Sequence, residues 1–125
     1  MDRKKNLAIL EDDPAILEIF KRVLRNDAEV YTCGSVADFE NILSKTEMDL
    51  FVIDLALGDK KDGLQVIQEL RASDKYKSTP IIVVTAHAFH SDENNAVAAG
   101  ANRFLRKPVE NIVLLHTVKD LLSLE

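Results

Sequence analysis

Asp49-Leu50-Phe51-Val52-Ile53-Asp54-Leu55-Ala56-Leu57 is an apolar run of strand type that carries one carboxylate, Asp54, near its end. Short apolar runs of this kind build the buried core of a parallel sheet. A lone ionised Asp inside such a run is costly to bury without a partner. Asp54 therefore belongs at the carboxyl end of a buried strand, facing a group that offsets its charge.

The flanking chain repeats the theme. Leu7-Ala8-Ile9-Leu10 is another short apolar run, ended by Glu11-Asp12-Asp13 and Pro14. Asp followed by Pro starts a helix, with Asp13 as N-cap and Pro14 at the first helical position. Ile16, Phe20, Val23 and Leu24 recur at helical spacing, so this helix runs to about Arg25. Val30-Tyr31-Thr32-Cys33 reads as a strand broken by Gly34, and Ser35-Val36-Ala37-Asp38 resembles a capping box. Phe39, Ile42 and Leu43 form the inward face of the helix it opens.

Beyond residue 57, Gly58-Asp59-Lys60-Lys61-Asp62-Gly63 is a loop by composition. Leu64, Ile67 and Leu70 place a third helix, and Ile81-Ile82-Val83-Val84 a strand ended by Thr85. Ser91-Asp92-Glu93 caps an Ala-rich fourth helix stopped by Gly100. Phe104-Leu105 is the fifth strand, and Pro108 opens the last helix with Val109, Ile112, Val113, Leu115, Val118 and Leu122 as its apolar positions. Five strands alternating with five helices across short connections predict an α/β fold: a doubly wound parallel sheet with helices on both faces.

The 125 residues suit one domain, expected over 1–125, and bury enough surface to fold without a structural metal. Cys33, the only cysteine, excludes an intramolecular disulfide and fits a reducing, cytoplasmic compartment. No stretch approaches a membrane span, and residues 1–6 lead into a strand and not into a signal-peptide core. A net charge of −5 argues against direct contact with nucleic acid.

In an open parallel sheet, ligands bind outside the carboxyl ends of the strands. Those ends collect Glu11, Asp12 and Asp13, then Asp54, Thr85 and Lys107. If the first and third strands are neighbours, several carboxylates crowd one edge, and like charges that close call for a cation. An oxygen-only ligand set favours a hard ion such as Mg²⁺ over zinc. With a hydroxyl at Thr85 and an ammonium at Lys107 added, the set resembles a phosphoryl-transfer site.

Taken together, Leu-Glu-Asp-Asp-Pro (10–14), Val-Ile-Asp-Leu-Ala-Leu (52–57), Asp-Gly-Leu (62–64), Pro-Ile-Ile-Val-Val-Thr-Ala (80–86), Gly-Ala-Asn-Arg-Phe (100–104) and Lys-Pro (107–108) resemble the receiver domain of two-component response regulators. Each piece is weak alone; the ordered set spans the whole chain. The resemblance implies a flavodoxin-like sheet of order 2-1-3-4-5.

It also implies roles. Asp54 is the expected phosphoacceptor. Asp12, Asp54 and the backbone carbonyl of Ala56 are the expected ligands of Mg²⁺, with Glu11 acting through water. Thr85 and Lys107 are expected to bind phosphoryl oxygens. Thr85 and Phe104 fall on the switch positions, and the Lys107–Pro108 bond is expected to be cis. The implied donor is a phosphohistidine on a sensor histidine kinase or phosphotransfer protein. The implied response is a change in the surface formed by the fourth helix, fifth strand and fifth helix, read by a downstream target or attached output domain. A monomer or a weak phosphorylation-dependent dimer is expected.

The chain departs from the pattern near Asp54. Gly58 stands where many receivers carry Pro, and the interval from Asp54 to Gly63 is one residue longer than usual, so a looser loop is expected. Ala56 and His87 occupy the two positions that tune loss of the phosphoryl group. Other readings are weaker. A phosphatase working through an aspartyl phosphate wants a second Asp where Ala56 stands. A flavodoxin-like electron carrier wants hydroxyls where Glu11-Asp12-Asp13 stand. A phosphorylation-independent interaction module would lack an acceptor, acid pair or Lys, and all are present. As purely structural residues, Asp54 would cap a turn, Glu11 and Asp12 would form a solvated acidic turn, and Lys60-Lys61 would be a solvated loop. The histidines His87, His90 and His116 show no ligand spacing and read as surface residues.

Overall fold

The computed structural model describes residues 4–86 and 90–123, without the side chain of His90. His87, at one of the two positions expected to tune loss of the phosphoryl group, lies outside the described residues, as does the His90 side chain. The strands are β1 (Lys5–Leu10), β2 (Ala28–Cys33), β3 (Leu50–Ile53), β4 (Ile81–Thr85) and β5 (Arg103–Arg106). The helices are α1 (Pro14–Leu24), α2 (Val36–Lys45), α3 (Gly63–Ala72), α4 (His90–Ala99) and α5 (Asn111–Leu121). All strand pairings are parallel, in the order β2-β1-β3-β4-β5.

Strand alternation divides the core in two. Ala8, Leu10, Phe51, Ile53, Ile81 and Val83 face α2, α3 and α4 residues such as Phe39, Ile67 and Ala96. Leu7, Ile9, Leu50, Val52, Ile82 and Val84 face α1 and α5 through Phe20, Leu24, Leu114 and Val118. Successive side chains point to opposite faces, so a strand covered on both sides must be apolar throughout. Leu7 through Leu10 have no exposed surface at all. Each buried leucine or isoleucine side chain there contributes about 1.5–3 kcal/mol of burial free energy.

The helices start where local chemistry supplies caps. Asp13 Oδ1 accepts the amide of Ala15 at 2.9 Å, with Pro14 opening α1. Ser35 Oγ accepts the Asp38 amide at 3.1 Å and caps α2. Asp62 and Gln65 form a reciprocal capping box on α3. Such a cap stabilises its helix by about 1 kcal/mol.

Several boundaries differ from the sequence reading. The third strand stops at Ile53: Asp54 makes one last bond to β1 and Leu55-Ala56-Leu57 turn away, because the chain must cross the sheet edge to reach α3. Helix α4 begins at His90, so Ser91 lies inside it. Helix α5 opens at Asn111, three residues after Pro108. Its buried stripe is Leu114, Val118 and Leu122, whereas Ile112 and Val113 are 52% and 42% exposed. A helical period counted from Pro108 has a different phase from one counted from Asn111, so it turns Ile112 and Val113 inward and omits Leu114.

Candidate functional site

Strands β1 and β3 are neighbours, with Leu10 opposite Ile53. The residues just past them, Glu11 and Asp54, therefore leave the sheet side by side. The Asp54 amide donates to the Leu10 carbonyl at 3.0 Å, which extends the ladder by one bond and places the carboxylate. Carboxylate oxygens of Glu11, Asp12 and Asp54 lie within 4.8 Å of one another. Glu11 and Asp54 are buried; Asp12 is exposed at the rim.

Lys107 reaches this cluster from the far side. Strand β5 is an edge strand beside β4, and the Lys107 amide donates to the Thr85 carbonyl at 3.0 Å. The following Lys107–Pro108 peptide is cis. The Lys107 ammonium bonds Glu11 Oε1 and lies 2.8 Å from Asp54 Oδ2. The other oxygens are held by backbone donors: Glu11 Oε2 by the Asp13 amide at 3.1 Å, and Asp54 Oδ1 by the Ala56 amide at 2.9 Å. Asp12 Oδ2 accepts the Gly58 amide at 2.9 Å.

Three carboxylates against one ammonium leave the cluster negative. Burial pushes the Glu11 carboxyl above its ordinary value, and its bonds to Lys107 and the Asp13 amide only partly reverse this. For Lys107, burial pulls the ammonium down, but its bonds to Asp54 and Glu11 outweigh that and hold it above its ordinary value. Oxygen donors carrying excess negative charge suit a hard divalent cation.

Thr85 is fully buried at the end of β4. It falls on the same sheet face as Ile81 and Val83, the face covered by α3 and α4. Phe104 pairs with Val83 in register and packs half-buried against that face. The Arg106 guanidinium lies 5.8 Å from its ring centroid. The Asp13 side chain caps α1 while its amide serves Glu11, and Ala56 is exposed with its amide turned onto Asp54. A cavity of about 480 Å³ opens beside Lys107, lined by Ile16, Ile19, Phe20, Ala86, Pro108 and Val109 among others.

The loop after Asp54 is tied down along its length. Gly58 meets Asp12, the Asp59 carboxylate accepts the Val36 amide at 3.0 Å, and Lys61 bridges Glu40 of α2 and Glu69 of α3 at 3.2 and 2.8 Å. Lys61 is thus a cross-link between helices and not a freely solvated loop residue. Gly63 is required by contact: a Cβ there would stand 2.2 Å from the Asp54 carbonyl oxygen. Sequence reading missed these partners because they lie 8 to 46 residues away along the chain.

Comparison with known proteins places this geometry. The family model "Response regulator receiver domain" matches residues 7–119. The transcriptional regulatory protein GlrR of Escherichia coli K12 is 30% identical over 119 residues, which is 94% of this chain and 26% of that protein. The chain thus spans about a quarter of that relative's length. The receiver domain of DrrB from Thermotoga maritima superposes with a TM-score of 0.89 at 23% identity, covering 97% of this chain and 99% of that one. The receiver domain of the Pseudomonas aeruginosa PAO1 sensor histidine kinase PA1611, solved with magnesium in its active-site cleft, gives 0.85 at 24% identity over 97% and 99% of the two chains. These two structures bear on the fold. With the family model spanning nearly all of the chain, this protein belongs to the response regulator receiver domain family.

Proposed function

We propose that this chain is a phosphorylation-operated switch whose acceptor is the Asp54 carboxylate. The observation that carries the reading is the meeting of Glu11, Asp12 and Asp54 with Lys107 at the carboxyl edge of the sheet. In the proposed step an Asp54 oxygen attacks phosphorus, and the P–N bond of a phosphohistidine donor breaks with its electron pair left on the imidazole. The donor is a sensor histidine kinase or phosphotransfer protein, and the apolar cavity beside Lys107 is a surface it can rest on.

Glu11, Asp12, Asp54 and the Ala56 carbonyl are the groups that would hold Mg²⁺, whose charge would offset that of the transferring oxygens. Lys107 keeps a second positive charge against Asp54 and is placed to follow a phosphoryl group formed there. Thr85 is the hydroxyl expected to turn toward that group, with Phe104 filling space on the same face. Val97 on α4 and Ile112 and Val113 on α5 are exposed apolar residues on the proposed output surface. A downstream protein or an attached output domain reads that surface, and phosphorylation-dependent dimerisation would use it too.

Residues 1–125 are read as one receiver domain in the cytoplasm. Among the described residues no helix is long and apolar enough to cross a membrane. The acidic chain itself is not proposed to touch nucleic acid. The regulatory role in GlrR's name belongs to a protein of which this chain matches 26%.

The test is incubation with Mg²⁺ and acetyl phosphate, read by intact mass. Gain of one phosphoryl group, absent in Asp54→Asn and abolished by chelator, is the expected result. Equal labelling of Asp54→Asn would overturn the assignment.

A further inference from the structure

Asp59 belongs to none of the motifs above, yet it joins two parts of the molecule. Its Oδ2 accepts the amide of Val36, the first residue of α2, at 3.0 Å. Its Oδ1 accepts the amide of Lys60 at 3.2 Å, which orients the carboxylate. The first-turn amides of a helix need acceptors and favour negative charge. Ser35 already serves Asp38 in this turn, so Asp59 supplies the acceptor for a second amide from a different loop.

The residue before Asp59 is Gly58, whose amide donates to Asp12 Oδ2 at 2.9 Å. The approach is close: a Cβ on Gly58 would stand 3.3 Å from that same oxygen. Asp12 is the exposed member of the three-carboxylate cluster, so its side chain lacks the walls that fix Glu11 and Asp54. The Gly58 amide is the donor that aims it. The residue that follows that amide is bonded to the start of α2.

We propose that Asp59 is a positioning residue for the cation site: by tying the β3–α3 loop to the start of α2, it keeps the Gly58 amide on Asp12. The inference rests on the reading of Glu11, Asp12 and Asp54 as cation ligands. The added length of this loop is thereby compatible with a well-placed site, because the slack is taken up on α2. Partners in the outer shell of a metal site orient the ligands and contribute to affinity without touching the ion.

Titration of the ¹⁵N-labelled chain with MgCl₂, followed by the amide shifts of residues 54–58, tests this without any phosphoryl donor. Asp59→Ala should bind Mg²⁺ about tenfold more weakly, the low end for loss of an outer-shell partner. Asp59→Asn keeps an acceptor for the Val36 amide and removes the charge, so it should bind within about twofold of the parent. Ser35→Ala removes the other cap of α2 and leaves the loop attached; it should lower the melting temperature without weakening Mg²⁺. Unchanged affinity in Asp59→Ala overturns the proposal. So does an Asn variant as weak as Ala, which would make the effect one of charge. So does equal weakening by Ser35→Ala, which would make it one of helix fraying. A parent protein whose 54–58 amides ignore MgCl₂ would remove the cation reading itself, and the role of Asp59 with it.

Discussion

The Lys107 ammonium lies 2.8 Å from Asp54 Oδ2, although 53 residues separate the two in the chain. The same nitrogen bonds Glu11, so one cation with 17% side-chain exposure serves two carboxylates of 3% and 5% exposure. Removing one partner of such a buried set leaves an uncompensated charge.

Lys107→Met should therefore destabilise the protein by about 3 kcal/mol at neutral pH, the low end for breaking a buried ion pair. The loss has a defined pH dependence. Glu11 holds its proton above its ordinary value in the folded state, chiefly through burial, so ionising it costs the folded chain as pH rises above the unfolded value. The variant lacks the ammonium that offsets this cost, so its deficit should shrink in acid, where Glu11 is protonated. Lys107 is itself raised, against the pull of burial, by its bonds to Asp54 and Glu11. Its contribution is thus complete below the ordinary lysine value and lost as pH climbs through the raised one. Urea unfolding at pH 5, 7 and 9 measures this. A deficit that is flat with pH contradicts it.

Gly63→Ala should be destabilising, against helix propensity. Ala in place of Gly inside a helix ordinarily gains about 1 kcal/mol. Here the new Cβ would meet the Asp54 carbonyl oxygen at 2.2 Å and the Leu55 Cα at 2.7 Å, and both are backbone. Overpacking of this kind costs about 2–3 kcal/mol, so clash outweighs propensity. A chemical denaturation midpoint at or above that of the parent would refute this.

Arg71 fastens the carboxyl end of α4 to α3 and to the approach to β4. Its guanidinium donates to the Gly100 carbonyl at 3.1 and 2.8 Å, to Tyr76 and Thr79 carbonyls at 2.9 and 2.6 Å, and to Asn102 Oδ1 at 2.9 Å. Gly100 sits at φ 120°, where a side chain would be strained, and any Cβ would meet Arg71. Arg71→Met should cost about 3 kcal/mol, since hydrogen bonds to charged groups are worth about 1.5–3 kcal/mol each and their loss is partly relieved by water. Arg71→Lys should recover less than half, because a point charge cannot reproduce the planar fork. Equal stability of the Lys variant and the parent would contradict this.

The Cys33 thiol is fully buried, and burial, aided by the Asp38 charge, pushes it up to about 12. It should resist thiol reagents at pH 8 in the native protein and react at once in denaturant. Between about pH 8.5 and 12 the unfolded thiol loses its proton while the folded one keeps it, so this group lowers stability as pH rises. Cys33→Ala should flatten that slope. Rapid labelling of native protein would show that the strand end opens.

Much of this molecule is legible from local pattern. The runs Leu7–Leu10, Leu50–Ile53 and Ile81–Val84 are apolar on every position because both faces of the sheet are covered, and that alone marks the strands and the parallel class. Asp13-Pro14 and Ser35 mark their helix starts because caps act within three residues. The acids after the first and third strands are legible as a candidate site because ligands gather at carboxyl strand ends. Local signal is thin at the last helix: Pro108 resembles a helix start, but α5 begins at Asn111, after a Glu110 that makes no side-chain cap.

What sequence alone determined, then, is the order and type of elements, the edge at which Glu11, Asp12, Asp54, Thr85 and Lys107 gather, and the family they resemble. Tertiary structure decided which of them touch: Lys107 with Glu11 and Asp54, Gly58 with Asp12, Asp59 with α2, Lys61 between α2 and α3. The division has one physical cause. Strand and helix signals come from burial and caps that repeat within a few residues, whereas contacts between loops arise only once the sheet has brought distant segments together.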